Sequence, residues 1–296
     1  VTEESGLRAN LARGCVVFSD PELKNIQKNV RLYENFNNKA DGRIKVWFAP
    51  HAPYTCPPEY VEKIVEAAKS CNAGIHVHLA ETLDEQRQIA EGYGKTPTEY
   101  LNDLGVFELP TLAAHSVYLN DTDIEILKAH NVGIAHNPTS NLKLASGIAN
   151  IPKYLQAGLN VGLGTDGCSS NNTLNMFKEM AICSFVQKVN AMNPTVLPAE
   201  EILNMATIGG AKVLRWDDEI GTLEVGKKAD LILVDIDKPH FAPWNNPVSD
   251  LVYSAQGSDV KTTIVNGKIL MKDYEVLTLD VERIMAETER IARNVL

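Results

Sequence analysis

Five of the seven histidines in this chain lie within or directly after short apolar runs, and one aspartate ends such a run between glycines. The runs are Ile44–Ala49 leading to Pro50-His51, Gly74–Ala80 carrying His76 and His78 with Glu81 just beyond, Thr111–Ala114 leading to His115, Val132–His136, and Asn160–Thr165 leading to Asp166. Imidazole and carboxylate are the ligands that suit zinc and related divalent ions, and a catalytic site of this kind keeps a position for water. By type, His78 and Asp166 are the natural ligands. Glu81, three residues beyond His78, is placed to move a proton between water and substrate. His115 is placed to donate to, or orient, the group under attack. A metal beside an acid/base pair hydrolyses polarised C–N or C–X bonds.

Each residue also has a plainer reading. A histidine at a strand end is at least as often a hydrogen-bonded structural residue as a ligand. His76 and His78 share one face of their strand, so only one needs to reach the site. His51 could brace the loop formed with Pro50 and Pro53, and Asp166 could cap the following helix. Jointly, the plain readings require a separate coincidence at every strand end. His136 either lines the pocket or hydrogen-bonds within it. Cys168 reads as a packing residue, because no basic partner is specified for a nucleophile. His130 and His240 fall on other elements.

Apolar runs that alternate with helical patterns are the signature of a parallel sheet with crossover helices. Six strands are expected: the five above and an earlier one at Leu7–Val17. Between them the spacing predicts helices over Pro21–Asn37, Pro57–Ser70, Leu83–Glu91, Pro97–Leu104, Thr122–Ala129 (with Thr122 at its N-cap) and Ile151–Ala157, then two longer ones near Thr173–Ala191 and Pro198–Leu214. From Asp217 to Tyr274 the rhythm becomes β-rich, with runs at Ala229–Val234 and Lys261–Val265 and an Asn266-Gly267 turn. The expected units are a barrel over 1–216, a small β domain over 217–275 and an amphipathic helix within 276–296.

The net charge of −10, with no basic block, argues against nucleic acid as a partner. No apolar stretch is long enough for a membrane span, and the first fifteen residues are too polar for a signal peptide. Five scattered cysteines without a C-x-x-C pair read as reduced, mostly buried thiols. A cytoplasmic protein is expected, with its oligomeric state open.

Several local stretches resemble the amidohydrolase superfamily, in its branch of aminohydrolases acting on heterocycles. They are His78-Leu79-Ala80-Glu81, Ala114-His115, His136-Asn137-Pro138-Thr139-Ser140-Asn141 with Leu144 and Gly147, Gly164-Thr165-Asp166-Gly167 with Ser170-Asn171-Asn172, and GTLEVGKKADLILVD over Gly221–Asp235. Within that branch, APHAPYTCPP (Ala49–Pro58) and the Ser170-Asn171-Asn172 run are most similar to 5-methylthioadenosine/S-adenosylhomocysteine deaminases. The resemblance implies a (β/α)8 barrel with a small β-sandwich domain and one divalent metal, zinc before iron. It also implies His78 and Asp166 as ligands, Glu81 as proton shuttle and holder of the substrate ring, His115 beside the reacting water, and a small nucleoside as substrate. His51 and Ser170 resemble substrate-contacting positions. Arg13 resembles an arginine that receives the nucleoside tail, with Arg8 as its rival.

The family pattern also has an H-x-H pair at the end of the first barrel strand. The one H-x-H here, His76-Val77-His78, aligns with the fifth strand, so the six strands correspond to the third through eighth. The expectation is a sequence that starts partway through a longer protein and, alone, binds metal weakly. Two alternatives accompany the deaminase reading: another heterocycle aminohydrolase or chlorohydrolase, acting on cytosine, guanine or s-triazines, and a non-catalytic barrel fragment.

Overall fold

Buried apolar runs followed by amphipathic segments fold here into parallel strands with helices across their outer face. The computed structural model describes residues 1–20 and 22–295. The chain begins with α1 (Thr2–Ser5), β1 (Ala9–Leu11), β2 (Gly14–Cys15), α2 (Lys24–Phe36), β3 (Ile44–Val46), β4 (Ala49–Pro50), α3 (Pro58–Ser70) and β5 (Ile75–Leu79). It continues through α4 (Leu83–Tyr93), α5 (Pro97–Asp103), β6 (Thr111–His115), α6 (Asp121–Ala129), β7 (Gly133–His136), α7 (Pro138–Lys143), α8 (Ile151–Ala157), β8 (Asn160–Leu163), α9 (Cys168–Asn171) and α10 (Met176–Asn190). The remainder is α11 (Ala199–Asn204), a π-helical turn over Met205–Gly209, α12 (Gly210–Val213), β9 (Leu231–Val234), α13 (Pro247–Tyr253), β10 (Val260–Val265), β11 (Lys268–Lys272), β12 (Glu275–Val276) and α14 (Val281–Val295).

Strands β5 to β8 pair in parallel in chain order, while β1 pairs with β3 and β2 with β4. Hydrogen bonds from His76 N to Phe48 O (2.8 Å) and from His78 N to His51 O (3.0 Å) attach β4 to β5. The result is the expected six-position parallel succession of an α/β barrel. The runs Leu7–Val17 and Ile44–Ala49 are each split in two rather than continuous. Asn29 of α2 accounts for both breaks: its Oδ1 accepts from Arg13 N (2.6 Å), and its Nδ2 donates to Trp47 O (2.9 Å). A buried amide thus replaces ladder partners where both strands are interrupted.

Register sorts the residues into faces. His76 lies beside Leu112, and His78 beside Ala114, which continues to Ala135 and Gly162. The other face carries Ile75, Val77, Leu79, Ala113, Ile134 and Val161, all in the main core under the helices. The His78 face carries a second, small core of Trp47, Leu112, Ala114 and Val213. This core floors the site. Glycines let α12 approach that closely: a Cβ at Gly133 would meet Val213 Cα at 2.8 Å, and one at Gly162 would meet Gly210 Cα at 2.7 Å.

Helix starts follow local signals, with corrections. Asn120, not Thr122, caps α6: its side chain accepts from Asp123 N while Asp123 accepts from Asn120 N, a reciprocal box that moves the start upstream. The long helix expected from Pro198 is interrupted by the π turn. Helices α7 and α13 were not anticipated, the helix expected after Asp166 is α9 and is capped at Gly167 instead, and Pro21, the expected start of the first long helix, lies outside the described residues.

Strands β9 to β12 form one antiparallel sheet in the order β12-β11-β10-β9. Asn266 and Gly267 join β10 to β11 with φ of 51° and 74°, the paired positive values of a tight hairpin turn. Between β9 and β10, α13 leaves this sheet and adds Val252 to the main core. The start of the chain is fastened to the sheet. Arg8 makes a two-pronged bond to Asp230 (2.6 and 2.9 Å), and Thr278 Oγ1 donates to Ser5 O (2.9 Å). Helix α14 buries no residue against the described chain and exposes Val281, Ile284, Met285, Ile291 and Val295.

Candidate active site

Three strand ends turn through left-handed backbone conformations before delivering their polar residues: Ala80 at φ 50°, His115 at 70° and Asp166 at 60°. Non-glycine residues pay roughly 1–3 kcal/mol for such geometry, which persists where surrounding contacts over-determine it. Those contacts are visible at each end.

On β5, His78 Nδ1 lies 2.6 Å from His51 O. A carbonyl only accepts, so Nδ1 carries the proton and Nε2 presents its lone pair. The His51 and His115 rings flank the His78 ring at centroid distances of 4.8 and 5.4 Å. His51 Nδ1 meets Thr55 Oγ1 at 3.0 Å. Burial, then the neighbouring His78, holds His51 below the usual histidine range.

Glu81 follows Ala80 and is gripped from two sides. Ser146 Oγ donates to its Oε1 (2.8 Å), and the buried Glu85 carboxylate accepts from the backbone amides of Ala80 (2.9 Å) and Glu81 (2.8 Å). Burial raises Glu85 to about 7 against the opposing pull of these amides. The other Glu81 oxygen, Oε2, faces His115 Nε2 at 3.7 Å. His115 is buried, with Nδ1 2.8 Å from Asn141 Oδ1. Burial lowers its affinity for a proton and outweighs the attraction of Glu81 and Asn141.

Asp166 is the most heavily supported group. Its Oδ2 accepts from Ser140 and Ser170 (2.7 Å each), and its Oδ1 from Gly167 N (2.6 Å). Burial pushes the carboxyl up, but the three donors prevail and hold it below the ordinary carboxylate range.

The structure therefore brings His51, His78, Glu81 and His115 together, and the charge of His115 also bears on Asp166. Ser170 points at Asp166. Arg13 is exposed, its Nε donating to Asn25 Oδ1 (2.8 Å), whereas Arg8 is taken up by Asp230. His136 is turned off the His78 face and buried, and burial drives it down to about 3. Cys168 is exposed at the start of α9, which corrects its reading as a packing residue: the four-residue helix leaves that side chain at the surface. Sequence reasoning assigned no role to Glu85, Ser140, Asn141, Ser146 or Glu179. Ser140 and Asn141 stood in a quoted motif, and Glu85 lies four residues beyond Glu81, one helical turn away.

Among the described residues, no group of three or more His, Cys, Asp or Glu is gathered in metal-binding geometry. The chemistry of the two expected ligands nevertheless fits a divalent ion, since His78 has a tautomer fixed with Nε2 free and Asp166 is kept ionised. Beside His115, Asn141 Nδ2 and Ser116 Oγ have no partner among the described residues.

A buried parallel sheet with a histidine–carboxylate rim is the frame of a hydrolase barrel, and the chain belongs to the amidohydrolase family, whose profile matches residues 2–270. It is 50% identical over 297 aligned residues, covering 100% of this chain and 69% of the relative, to a 5-methylthioadenosine/S-adenosylhomocysteine deaminase of Thermoanaerobacter pseudethanolicus. It is 47% identical to a 5′-deoxyadenosine deaminase of Methanosarcina mazei, covering 98% of this chain and 67% of that one. Among solved structures, an adenosine deaminase from Xanthomonas campestris with bound zinc superposes with a TM-score of 0.94 at 31% identity, over 99% of this chain and 67% of that chain.

Proposed function

We propose that this chain performs the hydrolytic deamination of an adenosine-type nucleoside, namely 5-methylthioadenosine, S-adenosylhomocysteine or 5′-deoxyadenosine, to the inosine analogue with release of ammonia. The observation that carries the reading is Glu81, fixed by Ser146 and by the Glu85-held backbone, with its free oxygen 3.7 Å from His115 Nε2. The relatives' names supply the substrate class.

His78, whose Nε2 lone pair is free, and Asp166, whose carboxylate is kept ionised, are the residues of this chain that would hold the metal, for which zinc is our choice and iron the substitute. When bound, the metal supplies Lewis acidity that makes water nucleophilic at neutral pH. Asp166 takes the proton released by the attacking water. Glu81 delivers a proton to the purine nitrogen beside the attacked carbon and holds the ring in place. His115, neutral at Nε2, orients the reacting oxygen. Water adds to the carbon bearing the amino group; the proton taken by Asp166 then passes to the amino nitrogen, which leaves as ammonia, while the adduct's hydroxyl becomes the carbonyl and its proton restores Glu81. His51 and Ser170 complete the pocket, with Arg13 at the nucleoside tail. We take 1–216 as the barrel unit, 217–275 as the small β unit and 276–296 as the C-terminal helix. We assign a cytoplasmic setting, with the nucleoside as the small-molecule partner and the oligomeric state open; no described helix is long and apolar enough to cross a membrane.

The test is ammonia release from the zinc- or iron-loaded protein on the three nucleosides, with guanine, cytosine and amino-s-triazines alongside and chloride release read for chloro-s-triazines. Turnover of the nucleosides, abolished by Glu81→Gln and Asp166→Asn, is expected. Turnover confined to free bases or triazines overturns the nucleoside assignment, and no turnover of any compound by a metal-loaded protein leaves the non-catalytic reading.

A further inference from the structure

Behind Asp166 lies a second carboxylate that the reaction does not use. Glu179, on α10, is completely buried and, among the described residues, forms no ion pair. Its oxygens are used on two different helices. Oε2 accepts from Thr139 N (3.1 Å) in the first turn of α7, and Oε1 accepts from Asn171 Nδ2 (2.8 Å) at the end of α9. The α7 start has no side-chain cap of its own from Asn137, so Glu179 supplies the acceptor its first turn lacks. Asn171 Nδ2 also donates to Thr165 O (2.6 Å), the carbonyl directly before Asp166.

These two short helices are the ones that grip Asp166. Ser140 follows Thr139 on α7, Ser170 precedes Asn171 on α9, and both hydroxyls donate to the same Asp166 oxygen. Helix α7 also carries Asn141, the partner of His115. A buried carboxylate without a counter-ion is costly unless its lone pairs are fully used. Here they are used on two donors from separate segments, a task for an acceptor-only group. Glutamine has the same shape but would turn an NH2 toward one of those donors.

We infer that Glu179 is a positioning residue for Asp166, joining α7 and α9 so that Ser140 and Ser170 meet one carboxylate oxygen. The inference rests on the reading of Asp166 as metal ligand and proton acceptor. It adds that the alignment of this ligand is set from α10, outside the rim.

The experiment compares the wild type with Glu179→Gln, first metal-free and then titrated with zinc against a chelating dye. Amide hydrogen exchange at Thr139, Ser140 and Asn171 is expected to speed up at least about tenfold in the variant, while far-ultraviolet circular dichroism is retained. The zinc dissociation constant is expected to rise by about 10–100-fold, the range seen when groups that orient a metal ligand are removed. In the loaded enzyme kcat is expected to fall with KM little changed. Unchanged exchange overturns the inference, and so does faster exchange with an unchanged zinc constant, since Glu179 would then be packing alone. If Glu179→Gln does not fold, Asn171→Ser removes the α9 arm together with the Asn171 bonds to Thr165 and Thr173, and it is read by the same two measurements, with exchange at Thr139 reporting the α7 arm. A wild-type chain that binds neither zinc nor iron overturns the ligand reading of Asp166; exchange in the metal-free proteins still decides whether Glu179 holds the two helices.

Discussion

His115 Nε2 stands 3.7 Å from Glu81 Oε2, a separation too long for a hydrogen bond between them. Each group is anchored at its far side, His115 by Asn141 and Glu81 by Ser146. The two facing atoms are therefore fixed in place and still free to engage an atom set beside both, which suits proton transfer to a bound ring.

Removing one anchor should weaken that arrangement without unfolding the chain. Ser146→Ala is expected to lower kcat about tenfold, equivalent to about 1.4 kcal/mol of transition-state stabilisation. KM and melting temperature should change little, because one partly buried hydrogen bond contributes only about 1 kcal/mol. Steady-state ammonia release decides the matter, and an unchanged kcat would remove Ser146 from the account.

Glu85 ties stability to pH. Its folded-state value of about 7 lies above the unfolded range of about 4.3, so between these values the folded chain holds the extra proton. Stability contributed by this group is accordingly full below about 4.3 and is lost as pH rises toward about 7. The loss is on the order of 3 kcal/mol. Urea midpoints at pH 5.5 and 8 should differ for the wild type in that direction, and Glu85→Gln should flatten the difference.

The two candidate arginines separate cleanly. Arg8→Ala leaves Asp230 partly buried without its partner, so a stability loss of about 3 kcal/mol is expected with KM unaltered. Arg13→Ala should leave the melting temperature alone and raise KM for nucleosides with a charged tail. A rise in KM on Arg8→Ala, with none on Arg13→Ala, would reverse the assignment.

Gly162→Ala puts a methyl group 2.7 Å from Gly210 Cα, a backbone atom that cannot swing aside. A destabilisation of about 1–3 kcal/mol is expected. Thermal melts should register it before any effect on ligand affinity appears.

The strand β5 shows why much of this was legible. Ile75, Val77 and Leu79 alternate with His76 and His78, so the sequence itself specifies one face for the core and one for chemistry. The rim residues could be named because strand ends are local features. What escaped is non-local. Asn29 breaks two strands from a neighbouring helix, and nothing in the strands themselves records it. Glu85 and Glu179 occupy helices where a glutamate ordinarily means solvent. Only the fold brings them against backbone and amide donors. Helix α7 was hidden by its brevity, although Pro138 at its first position suits a helix start.

The bond between Arg8 and Asp230 closes a separation of 222 residues. Bringing such distant points together costs about 5 kcal/mol in chain entropy, with no reward until both partners are in place. The β10–β11 hairpin needs only its own turn and can form early. Its fastening to Arg8, just ahead of β1, depends on that non-local closure and belongs late in the folding route.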